Sequence, residues 1–280
     1  MLDAEEATED EEDPTLTPGE IGRRRALGLL GAGLGAAFVV ASCGSSDDGD
    51  EASSGAETTA ATTGDRAGGT TATTAAAAAG AAVTADMFAG AASCTVTPSE
   101  TEGPYYIDVD LVRGDIREDR PGMRLRLAAR VLDSDGCTPV KDSLFEVWHC
   151  DAGGLYSGFE SASRGQGGNR SPDTTRYLRG AQITNADGIA ELTTIYPGWY
   201  RGRTVHIHAK VLISNREVLT SQLYFDDKVT DAVYAAAPYS SRPNRDQRNG
   251  SDNIFDDRTV LTVSRDGDGY LGLITIGVRR

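Results

Sequence analysis

His206 and His208 stand one residue apart in the stretch Pro197–His208, and they are two of only three histidines in the 280-residue chain. On a β-strand, residues i and i+2 share a face, so both imidazoles can reach one metal ion. Tyr200 lies just upstream, and a tight turn can fold it over the same spot. Tyr156 follows a stretch that carries the third histidine, His149. If His149 completes the set, three imidazoles favour zinc. If Tyr156 and Tyr200 join instead, two imidazoles and two phenolates favour Fe(III), because phenolate is a hard anionic oxygen that stabilises a trivalent ion. Such an ion also lowers the phenol pKa enough for the tyrosines to bind deprotonated near neutral pH.

The elements that must position these residues read as strands. Thr204 to Ser214 alternates, with Val205, Ile207, Ala209 and Val211 on one face and His206, His208 and Lys210 on the other. Ser143 to Cys150 puts Phe145, Val147 and His149 opposite Leu144, Glu146, Trp148 and Cys150. Val218 to Phe225 separates Thr220, Gln222 and Tyr224 from Leu219, Leu223 and Phe225. Further strands are predicted at Met123–Leu132, Arg179–Thr184, Ile189–Ile195, Arg258–Ser264 and Tyr270–Val278, with turn signals at Asp133–Gly136, Asn185–Gly188 and Asp266–Gly269. The middle pair, Arg179–Thr184 and Ile189–Ile195, reads as a hairpin. Residues 226–253 read as irregular, with a short helix near Thr230–Ala236. Many short strands between turns predict an all-β fold, a sandwich of mostly antiparallel strands with long irregular loops.

Four stretches give the chain a family resemblance: Thr101-Glu-Gly-Pro-Tyr-Tyr106, Glu146 through Ser157, Thr194 through His208, and Thr220 through Phe225. In these it resembles the intradiol ring-cleavage dioxygenases, the family of protocatechuate 3,4-dioxygenase and catechol 1,2-dioxygenase, and among them the exported bacterial members. The resemblance implies a non-haem Fe(III) cofactor held by Tyr156, Tyr200, His206 and His208, with His149 a structural residue. It implies that Arg203 steadies negative charge on a bound catechol, that Gln222 supports the site, that Tyr200 is itself catalytic, and that Tyr105 and Tyr106 on the preceding arm bind substrate. The implied reaction cleaves a catechol-type ring between its two hydroxylated carbons with O2, giving a cis,cis-muconate-type product. Five residues separate Tyr200 from His206, which implies a short loop and an open pocket. Two other readings use the same residues: a non-catalytic β-sandwich that binds metal or catechol, and a zinc hydrolase built on His149, His206 and His208.

The rest of the chain concerns delivery. Residues 21–43 carry Arg23, Arg24 and Arg25 into an apolar, glycine-rich run ending Val40-Ala41-Ser42-Cys43. This reads as a twin-arginine export signal with a lipoprotein-type end, so that residues 1–43 are the signal segment and Cys43 is lipidated. The apolar run is short for a membrane span. Residues 44–85 are nearly all Ala, Gly, Ser, Thr and acids, a composition unable to bury a core, and read as a disordered tether to a domain at 86–280. The expected place is the cell surface, with the membrane reached only through the lipid. Of the net charge of −15, the first 85 residues account for −11, leaving the domain near neutral. That argues against nucleic acid as a partner and leaves the oligomeric state open. Among Cys94, Cys137 and Cys150, the expected disulfide is Cys94–Cys137, because Cys150 continues the strand of His149; three free thiols is the other reading.

Overall fold

The computed structural model describes residues 80–88, 94–164 and 173–280. The expected signal segment with Cys43, and the tether up to residue 79, lie outside the described residues. In chain order the strands are β1 (Arg124–Asp133), β2 (Leu144–Trp148), β3 (Arg179–Ile183), β4 (Ile189–Ile195), β5 (His206–Ile213), β6 (Arg216–Tyr224), β7 (Thr262–Asp266) and β8 (Gly269–Val278). Two helices, α1 (Glu160–Ser163) and α2 (Asp227–Tyr234), lie between them. The strands form two four-stranded sheets, ordered β4-β1-β8-β7 and β3-β2-β5-β6, which makes a β-sandwich. Its pairings are antiparallel except β1 with β8.

Alternation decides which side chains meet between the sheets. Leu125, Leu127, Ala129 and Val131 of β1 and Ile274 and Ile276 of β8 pack with Phe145 and Val147 of β2, Ile207, Ala209 and Val211 of β5, and Leu219 and Leu223 of β6. The back of the first sheet is covered by Phe88, from a 3-10 turn at Ala85–Phe88, which packs on Ala128, Ile189, Leu271 and Leu273. Val83 and Ala85, at the end of the stretch read as tether, pack there too.

Two local expectations change. Arg179–Thr184 and Ile189–Ile195 do not pair as a hairpin: β3 pairs with β2, while β4 pairs with β1 in the other sheet. The turn between them is tight, since Asn185 Oδ1 accepts the N–H groups of both Asp187 and Ile189 at 2.9 Å. Turn chemistry fixes the reversal, but burial in two different sheets takes the arms apart. The helix starts three residues earlier than expected, because Asp226 caps it by accepting the Lys228 N–H at 2.7 Å.

Cys94 and Cys137 are disulfide-bonded, and Cys150 is free and buried. The bridge spans 43 residues, a loop whose closure restricts the unfolded chain by about 3–4 kcal/mol in the chain-entropy model. Replacing Cys94 by Ser is therefore expected to lower the unfolding free energy by about that amount, read as a lower denaturation midpoint, and reduction of the wild type to do the same. A midpoint insensitive to both would contradict the bridge's stabilising role.

Candidate active site

The outer face of the second sheet carries the candidate residues. Strand register sets Trp148 of β2 opposite His208 of β5, and His208 opposite Gln222 of β6; the next row outward pairs Glu146, Lys210 and Thr220, and His206 pairs with Tyr224. Since Ile207, Ala209 and Val211 fill the core, His206, His208 and Lys210 must project from the other side.

Four donor atoms meet there. His206 Nε2 lies 3.2 Å from His208 Nε2 and 3.0 Å from Tyr200 Oη. Tyr156 stands edge-on to Tyr200, with ring centroids 5.7 Å apart, and 6.1 Å from the His208 ring. Its hydroxyl is buried without a well-formed hydrogen bond, the Tyr200 hydroxyl being its polar neighbour. His206 Nδ1 bonds the Thr204 carbonyl at 2.7 Å, so the proton sits on Nδ1 and Nε2 offers a lone pair to the cluster. His208 has no such carbonyl; its Nδ1 is buried without a partner, and the ring is held by stacking on Trp148, 5.0 Å away and nearly parallel.

Burial governs the protonation of this cluster. It pushes the His206 pKa down to about 3, with the Arg203 cation adding to the effect, and pushes His208 well below its ordinary value, helped by His206. Both imidazoles are therefore neutral, the state that binds a metal. Burial also raises Tyr156 and Tyr200 above the ordinary phenol value, so without a strong Lewis acid both stay protonated. One Nε2 lone pair approached by two neighbours, beside a phenol without a well-formed hydrogen bond, leaves the cluster poorly satisfied by hydrogen bonds alone. A cation that accepts two neutral nitrogens and two anionic oxygens satisfies all four, and hard phenolate oxygens suit a trivalent ion. Among the described residues no group of three or more His, Cys, Asp and Glu is gathered to hold a metal. His149 is no part of the cluster: its ring nitrogens bond the Cys150 carbonyl at 2.8 Å and Thr194 Oγ1 at 2.7 Å.

The loop that brings Tyr200 over the histidines is fastened to the turn before Tyr156. The Gly198 N–H donates to the Asp151 carbonyl at 3.0 Å, and a Cβ on Gly198 would lie 2.4 Å from the Ala152 carbonyl oxygen, so only glycine allows this approach. From behind, Tyr234 of α2 donates to the Pro197 carbonyl at 3.0 Å.

Arg203 and Gln222 meet each other beside the donors. Arg203 Nη2 donates to Gln222 Oε1 at 2.7 Å, and Gln222 Nε2 donates to the Thr101 carbonyl at 2.9 Å. Arg203 Nε donates to Asp252 Oδ2 at 3.0 Å. Tyr224, below His206, donates to Glu100 Oε2 at 2.5 Å, and burial raises the Glu100 pKa to about 7. Trp148, Asp252, Glu100 and Tyr224 were not among the sequence candidates. Trp148 and Tyr224 were visible only as members of the histidine-bearing sheet face; nothing local marks Asp252.

The arm at residues 98–107 crosses this face. Tyr105 stacks on Tyr156 with centroids 4.7 Å apart, as expected of a pocket residue. Tyr106 faces the other way: its hydroxyl donates to Glu146 at 3.3 Å, and Lys210 Nζ lies 3.6 Å above its ring. The chain turns at Pro104–Tyr105, so Tyr105 packs on the donor Tyr156 while Tyr106 packs on Trp148.

Comparison with known proteins follows the same residues. The family model described as Dioxygenase matches residues 101–249. An intradiol ring-cleavage dioxygenase structure from Tetranychus urticae superposes with a TM-score of 0.62 at 30% identity, covering 66% of this chain and 95% of that one. A chlorocatechol 1,2-dioxygenase from Rhodococcus opacus is 29% identical over 155 residues, 46% of this chain and 56% of its own length. A catechol 1,2-dioxygenase from Acinetobacter baylyi is 26% identical over 211 residues, 62% of this chain and 64% of its own length. The chain thus spans less than two thirds of these curated relatives.

Gly103 packs its backbone against His208; a Cβ there would lie 3.1 Å from His208 Cε1, and its φ is +74°. Gly103→Ala is expected to destabilise the fold by about 1 kcal/mol or more through backbone strain and to displace the imidazole. The readout is metal bound per chain by mass spectrometry, expected to fall several-fold; wild-type loading would show that the arm does not press on His208.

Proposed function

This chain belongs to the intradiol dioxygenase family, and we propose that it is a non-haem Fe(III) enzyme that cleaves a catechol-type ring between its two hydroxylated carbons. Both atoms of O2 enter the product, a cis,cis-muconate-type diacid, and no external reductant is needed. The observation that carries the reading is the meeting of two neutral imidazoles with two phenols, one of them fully buried without a well-formed hydrogen bond. The names of the curated relatives, catechol and chlorocatechol 1,2-dioxygenases, support simple catechols as the substrate class.

In this reading Tyr156, Tyr200, His206 and His208 hold the iron. Ferric iron, when bound, supplies a Lewis-acid centre that binds a catechol as its dianion and activates the ring toward O2. Tyr156 is fully buried and serves as the permanent phenolate, whereas Tyr200 is partly exposed and takes one of the two catechol protons at its Oη, the other passing to hydroxide from solvent. Arg203, fixed by Gln222, offsets negative charge developing on the ring, an effect strengthened where water is excluded. Tyr105, stacked on Tyr156, offers the ring an aromatic wall.

The location is also proposed: export by the twin-arginine route and anchoring through Cys43. The Cys94–Cys137 disulfide supports an oxidising compartment. Cys43→Ala is expected to move the protein from the membrane fraction to the medium or soluble fraction; unchanged membrane retention would rule out the lipid anchor.

Purified full-length protein loaded with ferric iron should be red to burgundy through tyrosinate-to-iron charge transfer, and should consume oxygen with a panel of catechols. Tyr200→Phe should weaken the colour and slow turnover by at least ~100-fold, the scale of losing a positioned acid–base group. A colourless zinc-bearing preparation would sink the reading. A coloured protein inert to every catechol would leave a binding protein in its place.

A further inference from the structure

Asp252 lies in the stretch that the sequence presents as irregular, yet its carboxylate is 2% exposed and one of its oxygens is turned toward the site. Asp252 Oδ2 accepts from Arg203 Nε at 3.0 Å and from the Thr204 N–H at 2.8 Å, and Oδ1 accepts from the Ile254 N–H at 2.9 Å. Thr204 in turn presents its carbonyl to His206 Nδ1 at 2.7 Å, and its hydroxyl donates to Asn249 Oδ1 at 2.7 Å. One carboxylate oxygen therefore holds both the arginine and the peptide that orients the first ligand-type imidazole.

The arginine's own geometry gives this a consequence. Nε and Nη2 form one edge of the guanidinium, and both are engaged, by Asp252 and Gln222 respectively. Nη1 has no protein acceptor among the described residues. A guanidinium anchored along one edge cannot spin or fold away, and its remaining N–H donors are those a bound anion would meet. Gln222, which holds Nη2, stands directly across the strand pair from His208, which places that cation next to the donors.

Resting on the proposed function, we propose that Asp252 is a positioning residue for substrate binding: with Gln222 it locks Arg203 so that Nη1 is left to meet the negative charge of the catecholate, and through Thr204 it ties that lock to His206. The alternative is that Asp252 merely buttresses a loop. Charge separates the two. Asp252→Asn keeps the size of the side chain but replaces the ion pair with a neutral contact and sets an amide NH2 against an N–H donor, freeing Arg203 to move.

The test uses the full-length, ferric-loaded chain. In Asp252→Asn, iron content should stay close to wild type while the melting temperature falls by a few degrees, the cost of the lost buried ion pair. Anaerobic titration with catechol, followed by the change in the visible charge-transfer band, should show binding weakened at least ten-fold. Asp252→Glu, which keeps the charge, should recover part of that loss, whereas Asp252→Ala should also shift the band of the resting protein, because Thr204 and His206 are released. Wild-type catechol affinity in Asp252→Asn would overturn the proposal, as would a loss of iron and stability that fully accounts for the weaker binding. Failure of the functional reading itself is seen separately, as wild-type protein that stays colourless with ferric iron. Positioning is then read on Arg203 directly: its modification by phenylglyoxal, mapped by mass spectrometry, should accelerate several-fold in Asp252→Asn, and an unchanged rate would overturn the proposal.

Discussion

The site depends on one constraint, the alternation of β5 against the core. Ile207, Ala209 and Val211 are fully buried between the sheets. Each such side chain is worth roughly 1.5–3 kcal/mol when taken from water, so the strand cannot turn over without losing several of them. His206, His208 and Lys210 therefore have no choice of face. A slip of one residue would exchange the two sets.

The outward face is nonetheless not a surface. His206 and His208 are 2% exposed, and Tyr156 is fully buried. Burial pushes each donor toward its uncharged form, imidazoles downward and phenols upward in pKa. For the histidines this is preparation, since neutral imidazole is the ligand. For the tyrosines it is an opposing cost that only a strongly Lewis-acidic ion can offset. The same dryness raises the value of any fixed charge nearby, which is why a single guanidinium beside the donors carries weight that it would lack in water.

What the sequence makes legible follows from this division. Strand alternation is local, so the faces of β2, β5 and β6 could be read from the chain, whereas the choice of Tyr156 and Tyr200 over His149 rested on the family resemblance. Asn185–Gly188 announced its reversal correctly, but not that its two arms enter different sheets, because sheet membership is decided by partners far away in sequence. Asp252 was invisible for the same reason: it sits 49 residues from Arg203, and an aspartate in a polar loop has no periodicity to betray it. The paired tyrosines show the limit most plainly. Their motif suggested one role for both, while the turn at Pro104–Tyr105 gives Tyr105 to the site and Tyr106 to Glu146 and Lys210.

The arm that carries those tyrosines has little regular pairing to hold it, and its ties come from the sheet face that it covers. The Glu100 N–H donates to the Thr220 carbonyl at 2.9 Å, Ser221 Oγ to the Pro98 carbonyl at 2.8 Å, and Gln222 Nε2 to the Thr101 carbonyl at 2.9 Å. Lys210, nearly buried, pairs with Glu102 at 2.5 Å and with Glu217 at 3.0 Å while resting on the Tyr106 ring. An ion pair of this kind is weak when fully exposed, but here the ammonium is shielded by aromatic rings and removal of its partners would strand it. Gln222 is the link between cover and chemistry, since one end of its amide fastens the arm and the other fixes Arg203. The strand pair β5–β6 thus sets in one register both where the donor imidazoles stand and how tightly the arm lies over them, so neither feature can drift without the other.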